Sequence, residues 1–397
     1  MEPAGRLRVA LIAGTLGQGG AEKQLVYMAR ALREAGAGVE VFSLTSGEHH
    51  ERELVELGVR VTPILGPRAA KLARLTRGLA RFRPHVTQSA HTYANLYAAL
   101  AGAAAGSLTL GALRSSLAHT RRGNGAWTRW HLSMPHGLVA NSEAAAAELA
   151  RIRGRRPVYV VPNAIDGGRR ERLAAEHRVA ADSLRSPLNA SLVEADSLRS
   201  PLDSLQEGVN VAFVGRLIPE KRLDLFLDAI ALARREEPRV RGVVVGDGPT
   251  RSAGEERARS LGLLPDGVAF LGRRDDVPAL LDAADMLLLC SDEEGFPNVL
   301  LEAMAAGLPV VATPAGDAAA IVRNGETGFV VSGGAEGLAE RAVLLARSPE
   351  LRDRMGKRGR QRAIDEYGFG KLCTRLLGVY RDLAGRRGHR RTLDALS

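Results

Sequence analysis

Short apolar runs rich in Val, Ile and Leu alternate with segments of helical periodicity along this 397-residue chain. Continuous apolar strands separated by helices are typical of parallel sheets that helices cover on both faces. The runs predicted as strands are Leu7–Ala13, Val39–Leu44, Val59–Ile64, His85–Ser89, Leu108–Ala112, Gly137–Ala140, Val158–Val161, Val209–Val214, Arg241–Val245, Val268–Leu271, Met286–Cys290, Pro309–Ala312 and Gly328–Val331. Because the chain is too long for one ordinary core, the two series predict two doubly wound, Rossmann-like α/β domains. A ligand is expected in a central cleft that the carboxyl ends of both sets of strands face.

The break between the two series falls in a polar stretch that contains a tandem duplication. Residues 181–194 read ADSLRSPLNASLVE, and residues 195–208 read ADSLRSPLDSLQEG. Two copies are too few for a solenoid, and the Ser- and Pro-bearing composition favours a linker. The predicted organisation is a first domain over 1–165, a linker over 166–208, a second domain over 209–370, and a terminal helix with a basic tail over 371–397.

Positive charge is concentrated at positions 1–170, where 23 Lys and Arg stand against 11 Asp and Glu, whereas the whole chain carries +10. Within this part, Pro67–Pro84 has Lys71, Arg74, Arg77 and Arg81 at helical spacing beside an apolar stripe. One interpretation is an outer helix whose stripe packs on the sheet. The other is a helix that docks to an anionic membrane or an acidic acceptor. No recognition motif accompanies the charge, so nucleic acid is not an expected partner.

The compartment is predicted from cysteine usage and hydropathy. Cys290 and Cys373 are the only cysteines and provide no disulfide framework. No apolar run reaches the roughly 20 residues that span a bilayer, and the start of the chain reads as a strand and not as a signal peptide. We therefore expect a cytoplasmic protein, at the inner face of the membrane if the basic surface binds lipid.

Glycine-rich turns follow the first two strands of the second series. Gly215-Arg216-Leu217-Ile218-Pro219-Glu220-Lys221 leads from a strand into a helix, and Gly246-Asp247-Gly248-Pro249 ends the next strand. Glycine lets the backbone turn close to a ligand. Arg216 and Lys221 would point at a diphosphate from the top of the sheet.

Two carboxylates follow the strand Met286–Cys290. Glu294-Gly295-Phe296-Pro297-Asn298 leads into a helix near Val299, and Glu302 lies about one turn into it, eight positions after Glu294. Asn298 or Pro297 suits a helix start, whose free N–H groups form an anion site. Each feature alone is common in α/β proteins, but all of them in order, each at the carboxyl end of a strand, predict a ligand site whose carboxylates suit sugar and ribose hydroxyls.

The stretch from Gly215 to Val331 resembles the family-4, GT-B glycosyltransferases (glycosyl transferases group 1). The similar segments read GRLIPEKR, VVVGDGP, FLGRRDDVPALLDAADMLLLCS and EGFPNVLLEAMAAGLPVVAT. The last contains that family's Glu-x7-Glu signature as Glu294 and Glu302. Near the start, Gly17-Gln18-Gly19-Gly20-Ala21-Glu22 resembles the family's Gly-Gly-Ala-Glu loop, and Val139–Ser142 and Val161–Asp166 resemble the segments that close its first domain.

The resemblance implies a GT-B fold whose first domain binds the acceptor and whose second binds the donor. It also implies transfer of a hexosyl unit from a UDP- or GDP-sugar with retention of anomeric configuration. Arg216 and Lys221 would neutralise the diphosphate, Glu294 would hold a sugar hydroxyl, and Glu302 would bind the ribose. The remaining donor contacts would come from Gly19, Gly20, Gly215, Gly248, Arg273, Gly295, Phe296, Pro297, Asn298 and Val299. The acceptor would be a glycan, a lipid-linked saccharide or a small molecule.

The sequence departs from the family after the fifth strand, where many relatives have a His near the reaction centre. Here the strand runs into Leu113-Arg114-Ser115-Ser116, so that Arg114 occupies this place. His91 and His119 are nearby candidates for the acceptor or sugar side. An ordinary surface or capping role for His91 is an equal alternative.

Neither a metal site nor a resident cofactor is predicted. Asp275-Asp276 and the acidic run ending at Glu294 lack an Asp-x-Asp arrangement, and no Cys/His ligand spacing occurs. The expected enzyme is therefore metal-independent. The alternatives are a nucleotide-sugar epimerase or hydrolase on the same plan, and a non-catalytic nucleotide-sugar-binding subunit.

Overall fold

The structure is a computed structural model that describes residues 6–114, 120, 125–153, 156–168 and 208–397. The chain forms two compact units. Unit 1 comprises Met1–Ala164 together with Tyr367–Ser397, and unit 2 comprises Ile165–Glu366. The duplicated stretch predicted as a linker lies outside the described residues, apart from Gly208.

Every run predicted as a strand is a strand, with bounds that differ by at most one residue at either end. The strands are β1 (Arg8–Ala13), β2 (Gly38–Ser43), β3 (Arg60–Pro63), β4 (Val86–Ser89), β5 (Leu108–Leu113), β6 (Gly137–Ala140), β7 (Val158–Val160), β8 (Val209–Val214), β9 (Val240–Val245), β10 (Val268–Gly272), β11 (Met286–Leu289), β12 (Val310–Ala312) and β13 (Gly328–Val330).

The described helices alternate with the strands. They are α1 (Gly20–Glu34), α2 (His49–Glu56), α3 (Arg68–Phe82), α4 (Asn95–Ala104), α5 (Thr128–Ser133), α6 (Glu143–Arg153), α7 (Leu223–Glu236), α8 (Arg251–Ser260), α9 (Val277–Ala283), α10 (Asn298–Ala305), α11 (Ala318–Ile321), α12 (Gly334–Arg347), α13 (Pro349–Tyr367), α14 (Phe369–Arg387) and α15 (Arg390–Asp394). Short 3₁₀ turns occupy Thr92–Ala94, Gly125–Trp127 and Pro219–Lys221.

Both sheets are parallel, as the sequence predicted. Unit 1 has the strand order β3-β2-β1-β4-β5-β6-β7, and unit 2 has β10-β9-β8-β11-β12-β13. In each sheet the direction of winding reverses beside the first strand, so β1 lies next to β4 and β8 lies next to β11. The loops after these paired strands therefore leave the same edge of the sheet side by side, where ligands of open α/β sheets bind.

The alternation of side chains along β1 shows why its apolar run is continuous. Val9 and Leu11 belong to a core with α1 and α14, whereas Ala10 and Ile12 belong to a second core with α3 and α4. Because successive residues of a strand point to opposite faces, both faces of the sheet are buried by helices.

Helix α3 is the segment that the sequence predicted as a basic amphipathic helix. Its Leu75 and Leu79 are fully buried, and Leu72 and Phe82 pack against the same core. The apolar stripe is therefore covered by the sheet, which agrees with the outer-helix interpretation. A membrane could meet only the polar face of α3.

The C-terminal helices belong to unit 1. Leu376, Tyr380 and Leu383 of α14 are fully buried in the core that also holds α1. The Tyr380 hydroxyl donates to Oε1 of Gln88 on β4 at 2.7 Å. The segment Tyr367–Ser397 thus completes the first unit, although it follows the second in sequence.

Candidate functional site

The turn after β8 is held against the turn after β9 by backbone hydrogen bonds. Gly215 N donates to Val245 O at 3.0 Å, and Leu217 N donates to Asp247 O at 2.9 Å. Gly246 and Gly248 adopt φ of 141° and 157°. A Cβ at Gly246 would lie 1.8 Å from Gly215 O, and one at Gly248 would lie 2.4 Å from Leu217 O. Glycine is required at both positions by the protein's own backbone, before any ligand is considered.

Lys221 and Glu294 meet at the carboxyl edge of the second sheet, as the adjacency of β8 and β11 requires. Lys221 Nζ forms a short ion pair with Glu294 Oε1, and Ser291 Oγ donates to the same oxygen at 2.7 Å. Their side chains are 23% and 11% exposed. Among the described residues, Oε2 of Glu294 has no hydrogen-bond partner, so this oxygen is open to a hydroxyl donor.

The loop that carries Glu294 is fixed from several sides. Thr313 Oγ1 donates to Ser291 O at 2.6 Å. A Cβ at Gly316 would lie 2.5 Å from Glu294 O, so the loop after β12 packs directly on this backbone. The position of Glu294 Oε2 is therefore fixed by the packing of the loop that carries it.

Arg222 ties the β8 and β11 loops together by a second ion pair. Its guanidinium reaches Asp292 and Asp224, both at 3.0 Å, and Asp292 N donates to Glu220 O at 3.0 Å. The hydrogen bonds to Asp224, and then those to Asp292, outweigh burial and raise the pKa of Arg222 above its usual value. Sequence reasoning missed this residue, together with Ser291. Both residues reach the site because β8 and β11 are neighbours in the sheet, which no local sequence pattern shows.

Arg216 differs from Lys221 in being exposed. Within the described part of the chain its side chain has no ion pair or hydrogen bond. Arg273, after β10, is likewise exposed and without a partner there, whereas its neighbour Arg274 is paired with Asp276 at 2.6 Å. Arg216 and Arg273 are thus available to an external anion.

Helix α10 begins at Asn298, and its N-cap residue, Pro297, makes no side-chain cap. The N-terminus of a helix presents N–H groups that favour an anion. Phe296 and Pro297 are buried, so a ligand would meet their backbone. Gly295, Asn298, Val299 and Glu302 are partly exposed. Glu302 lies one turn after Asn298, as predicted, and helical side chains lean toward the N-terminus.

In unit 1 the loop after β1 meets the residue that follows β4. His91 Nδ1 accepts from Gly14 N at 3.1 Å, and His91 Nε2 lies 3.2 Å from Glu22 Oε1. Since Nδ1 is an acceptor, the proton of a neutral His91 resides on Nε2 and is donated to Glu22. Thr15 Oγ1 donates to the same carboxylate oxygen.

These contacts determine the charge of Glu22. Burial raises its pKa, but the hydrogen bonds from His91 and Thr15 prevail and lower it from 4.5 to about 2. Glu22 is therefore ionised at neutral pH. A Cβ at Gly19 would lie 2.0 Å from Glu22 Oε2, so the carboxylate occupies the space that glycine leaves, and α1 starts at Gly20 without a side-chain cap. Gly19 and Gly20 were predicted from the sequence as site residues, but the contact between Glu22 and His91 was not predicted.

Tyr93 and Arg114 border the same loop. A Cβ at Gly14 would collide with the Tyr93 ring, which stacks on His91 at 5.4 Å. Arg114 donates to Ala90 O at 3.2 Å and to Asn163 Oδ1 at 2.9 Å. Burial lowers the pKa of Arg114 to about 10, and the negative Glu22 opposes this shift. The Arg114 guanidinium therefore fixes the backbone at Ala90, directly before His91. His119 lies outside the described residues.

Metal sites and membrane-spanning helices are both absent from the described residues. No group of three or more His, Cys, Asp or Glu side chains there is placed to hold a metal ion. No described helix combines the length and the apolar character needed to cross a bilayer.

Two family models match the chain side by side. The model for Glycosyltransferase Family 4 matches residues 18–169, and the model for Glycosyl transferases group 1 matches residues 196–362. The Anabaena protein Alr3699/HepE, solved in complex with UDP and glucose, superposes over 95% of this chain and 100% of its own, with a TM-score of 0.74 at 20% identity.

Curated relatives match over shorter stretches. N-acetyl-alpha-D-glucosaminyl L-malate synthase of Bacillus anthracis is 34% identical over 142 residues, and D-inositol 3-phosphate glycosyltransferase of Salinispora tropica is 36% identical over 189. These segments cover 36% and 45% of this chain but only 37% and 39% of the relatives' own lengths.

The chain forms two Rossmann-like units, each with a parallel sheet, and the carboxyl edge of the second sheet carries the Lys221–Glu294 pair. This fold is that of the GT-B class. The chain belongs to the family-4 glycosyltransferases, glycosyl transferases group 1.

Proposed function

We propose that this chain transfers a hexosyl unit from a nucleotide-diphospho-sugar to an acceptor hydroxyl with retention of anomeric configuration. The observation that carries the proposal is the Lys221–Glu294 pair, together with an exposed Arg216 that has no partner among the described residues, at the edge where open α/β sheets bind ligands. Family membership supports glycosyl transfer. The Anabaena structure holds UDP and glucose, which favours a UDP-sugar as donor; a GDP-sugar is the second candidate.

The cationic part of the site suits the leaving group. A departing nucleoside diphosphate gains negative charge, and fixed cations and N–H groups stabilise charge as it develops. Arg216 is exposed and can reach the phosphates, Lys221 is held beside them by Glu294, and the N-terminus of α10 favours an anion. We propose these groups as the metal-independent phosphate site, with Gly215 and Gly248 shaping its floor and Arg273 near the base.

The acidic part of the site suits hydroxyl groups. Oε1 of Glu294 is engaged by Lys221 and Ser291, which leaves Oε2 to accept from a hydroxyl of the transferred sugar. Glu302, one turn into α10, is proposed to bind the ribose. An ionised carboxylate that accepts from a hydroxyl makes a strong, charge-assisted hydrogen bond.

On the acceptor side we propose that Glu22 binds a hydroxyl and that His91 is a positioning residue. Both ring nitrogens of His91 are engaged, by Gly14 and Glu22, so it does not offer a free base. His91→Ala should raise the KM for acceptor and lower kcat. His91→Gln, whose amide N–H can still donate to Glu22, should restore part of both. Equal losses in the two variants would contradict the positioning role.

Location and acceptor class are part of the proposal. The excess of basic residues at positions 1–170 supports peripheral contact with an anionic membrane on the cytoplasmic side. This in turn favours a glycan or lipid-linked saccharide over a small soluble acceptor.

A donor panel tests the proposed function. UDP- and GDP-sugars are screened by thermal shift in EDTA, because a true donor stabilises the fold by mass action. The stabilising donor is then incubated with candidate acceptors, and the product anomer is identified by NMR. Transfer that requires added Mg²⁺ or Mn²⁺ would contradict the metal-independent site. Donor consumption without a glycosylated product would favour the epimerase or hydrolase alternative.

A further inference from the structure

A cationic cleft lies in unit 1, at the opposite edge of the sheet from His91 and Glu22. Its volume is about 520 Å³, within the range of small-ligand sites. His136 and Arg156 line it from positions just before β6 and β7, and Arg386 and Arg387 line it from the end of α14. Because residues that precede parallel strands lie at their amino edge, the cleft is separate from the carboxyl edge where the transfer site is proposed.

The charges of the cleft are held in different ways. Arg156 donates to the carbonyls of Ser133 and Pro135, so its guanidinium is fixed by neutral backbone atoms, and no described acidic residue compensates its charge. Arg386 is paired with Asp382 at 2.6 Å. Arg387 is exposed and, among the described residues, has no partner. The net positive charge therefore comes from Arg156 and Arg387.

The remaining lining of the cleft is apolar, with Met134, Pro157 and Leu383. A site lined by apolar side chains and by two guanidinium groups that have no acidic partner among the described residues suits a ligand that is both anionic and amphiphilic. A free phosphate would use only half of it.

The surface leading to the cleft carries both tryptophans of the protein. Trp127 is 65% exposed and Trp130 is 57% exposed. Trp127, Trp130 and Met134 follow helical spacing along α5 and its two flanking residues, so this row runs to the cleft. Tryptophan is enriched at membrane–water interfaces, where the ring is buried and its N–H stays hydrated.

Between Glu56 and Glu143 the sequence contains no Asp or Glu but 11 Lys and Arg. The acid-free segment includes α3, α4 and α5, which pack in series on the same side of the sheet. The absence of acidic residues removes the repulsion that an anionic bilayer would otherwise meet there.

We propose that the Arg156–Arg387 cleft binds the phosphate headgroup of an anionic phospholipid while Trp127 and Trp130 enter the bilayer interface. The inference gives a defined surface to the membrane contact proposed above. Its test does not involve donor or acceptor, so its outcome is distinguishable from that of the proposed transfer.

The test measures binding of the full-length chain to vesicles of phosphatidylcholine alone and to vesicles that also contain phosphatidylglycerol. Because Trp127 and Trp130 are the only tryptophans, their emission reports on this surface without any substitution. We expect co-sedimentation and a blue shift only with phosphatidylglycerol. Vesicle binding without an emission change, or no binding, would overturn the proposal.

Substitutions distinguish specific binding of phospholipid in the cleft from general electrostatic attraction between the basic chain and an anionic membrane. Arg387→Gln and Arg156→Gln/Arg387→Gln should weaken partition about fivefold and about thirtyfold, at roughly 1 kcal/mol per arginine near the surface. The matched control, Arg68→Gln/Arg77→Gln, removes the same charge from the exposed face of α3 and should weaken it less than threefold. Equal effects would overturn a specific cleft, as would a blue shift with glycerol phosphate or a short RNA but not with vesicles.

Discussion

Arg216 and Lys221 illustrate how two cations of one motif differ once their surroundings are known. Both were predicted from the GRLIPEK segment to neutralise a diphosphate. Lys221 is held by Glu294 and is only 23% exposed, whereas Arg216 is exposed and has no partner in the part of the chain that the structure describes. The free cation is therefore the better reporter of ligand binding, and the paired cation is the better reporter of site geometry.

The Glu294 carboxylate can be tested by Glu294→Gln. The amide oxygen still accepts from Ser291, but the counter-ion of Lys221 and the charged acceptor for a sugar hydroxyl are lost. We expect kcat/KM for transfer to fall about 10²- to 10³-fold, the range seen for a lost transition-state contact, with nucleoside diphosphate affinity changed less than threefold. Steady-state kinetics and calorimetry measure the two quantities. Glu293→Gln is the neighbouring control, and wild-type kinetics for Glu294→Gln would exclude the proposed sugar contact.

The residue types at the site were legible from the sequence, but their pairings were not. Glu22 and His91 are 69 positions apart and meet because β1 and β4 are neighbours in the sheet. Strand order is not encoded in any local pattern. For the same reason Arg222 and Asp292 escaped prediction, although Arg222 follows Lys221 directly and Asp292 lies two positions before Glu294.

At the scale of the element, the glycines of the turn after β9 are required by the fold itself, although the turn resembles a ligand-binding loop. Gly246 and Gly248 allow this turn to lie against the carbonyls of Gly215 and Leu217. A sequence pattern cannot distinguish a glycine required by a ligand from one required by the neighbouring turn, since both need the same missing Cβ.

Gly246→Ala tests this explanation. The new methyl group would lie 1.8 Å from Gly215 O at a φ of 141°, so we expect the free energy of unfolding to fall by about 2–4 kcal/mol. Gly262→Ala, at φ 68° with nothing within 4 Å, carries backbone strain alone and should cost about 1 kcal/mol. Urea denaturation compares them, and equal costs would show that the contact with Gly215 is not tight.

The helix α3 shows a pattern that allowed two structures. Basic and apolar residues at helical spacing fit both a membrane-surface helix and an outer helix of a domain. Burial of Leu75 and Leu79 decides for the second. Which structure forms depends on whether other elements of the chain cover the apolar stripe, and helical periodicity gives no information about those elements.

At the scale of the whole molecule, the number of strands and the two parallel sheets followed from the apolar runs, whereas the order of the strands within each sheet did not. The return of Tyr367–Ser397 to unit 1 did not. Its cause is the amphipathic face of α14, whose partners in the first core lie far earlier in the chain. Tyr380, for example, contacts Gln88, which is 292 positions away.

The C-terminal return also gives unit 1 a pH dependence centred on the buried His85, just before β4. Burial first, and then the charges of Arg391, Arg8 and His389, lower its pKa from 6.5 to about 4. Its Nδ1 accepts from Arg8 N at 2.9 Å, which requires an unprotonated nitrogen. Between pH 6.5 and 4, His85 is therefore protonated in the unfolded chain but stays neutral in the folded chain. The free energy of unfolding consequently falls as the pH falls through this window.

We expect this group to cost about 2 kcal/mol of unfolding free energy between about pH 7 and pH 5. His85→Asn, whose Oδ1 can accept from Arg8 N but does not titrate, should show a loss smaller by that amount. Urea denaturation at the two pH values measures it. Identical pH dependence in both proteins would mean that His85 is protonated without penalty in the folded state.

The central claim is that the carboxyl edge of the second sheet binds the diphosphate of a sugar nucleotide through protein cations. Calorimetric titration of UDP and of GDP in EDTA tests it most directly, on the wild type, on Arg216→Ala, and on Arg235→Ala as an exposed control in α7. The account predicts that one nucleotide binds the wild type and the control alike, and that Arg216→Ala weakens it at least tenfold. Failure of both nucleotides to bind without metal, or equal affinity in all three proteins, would contradict it.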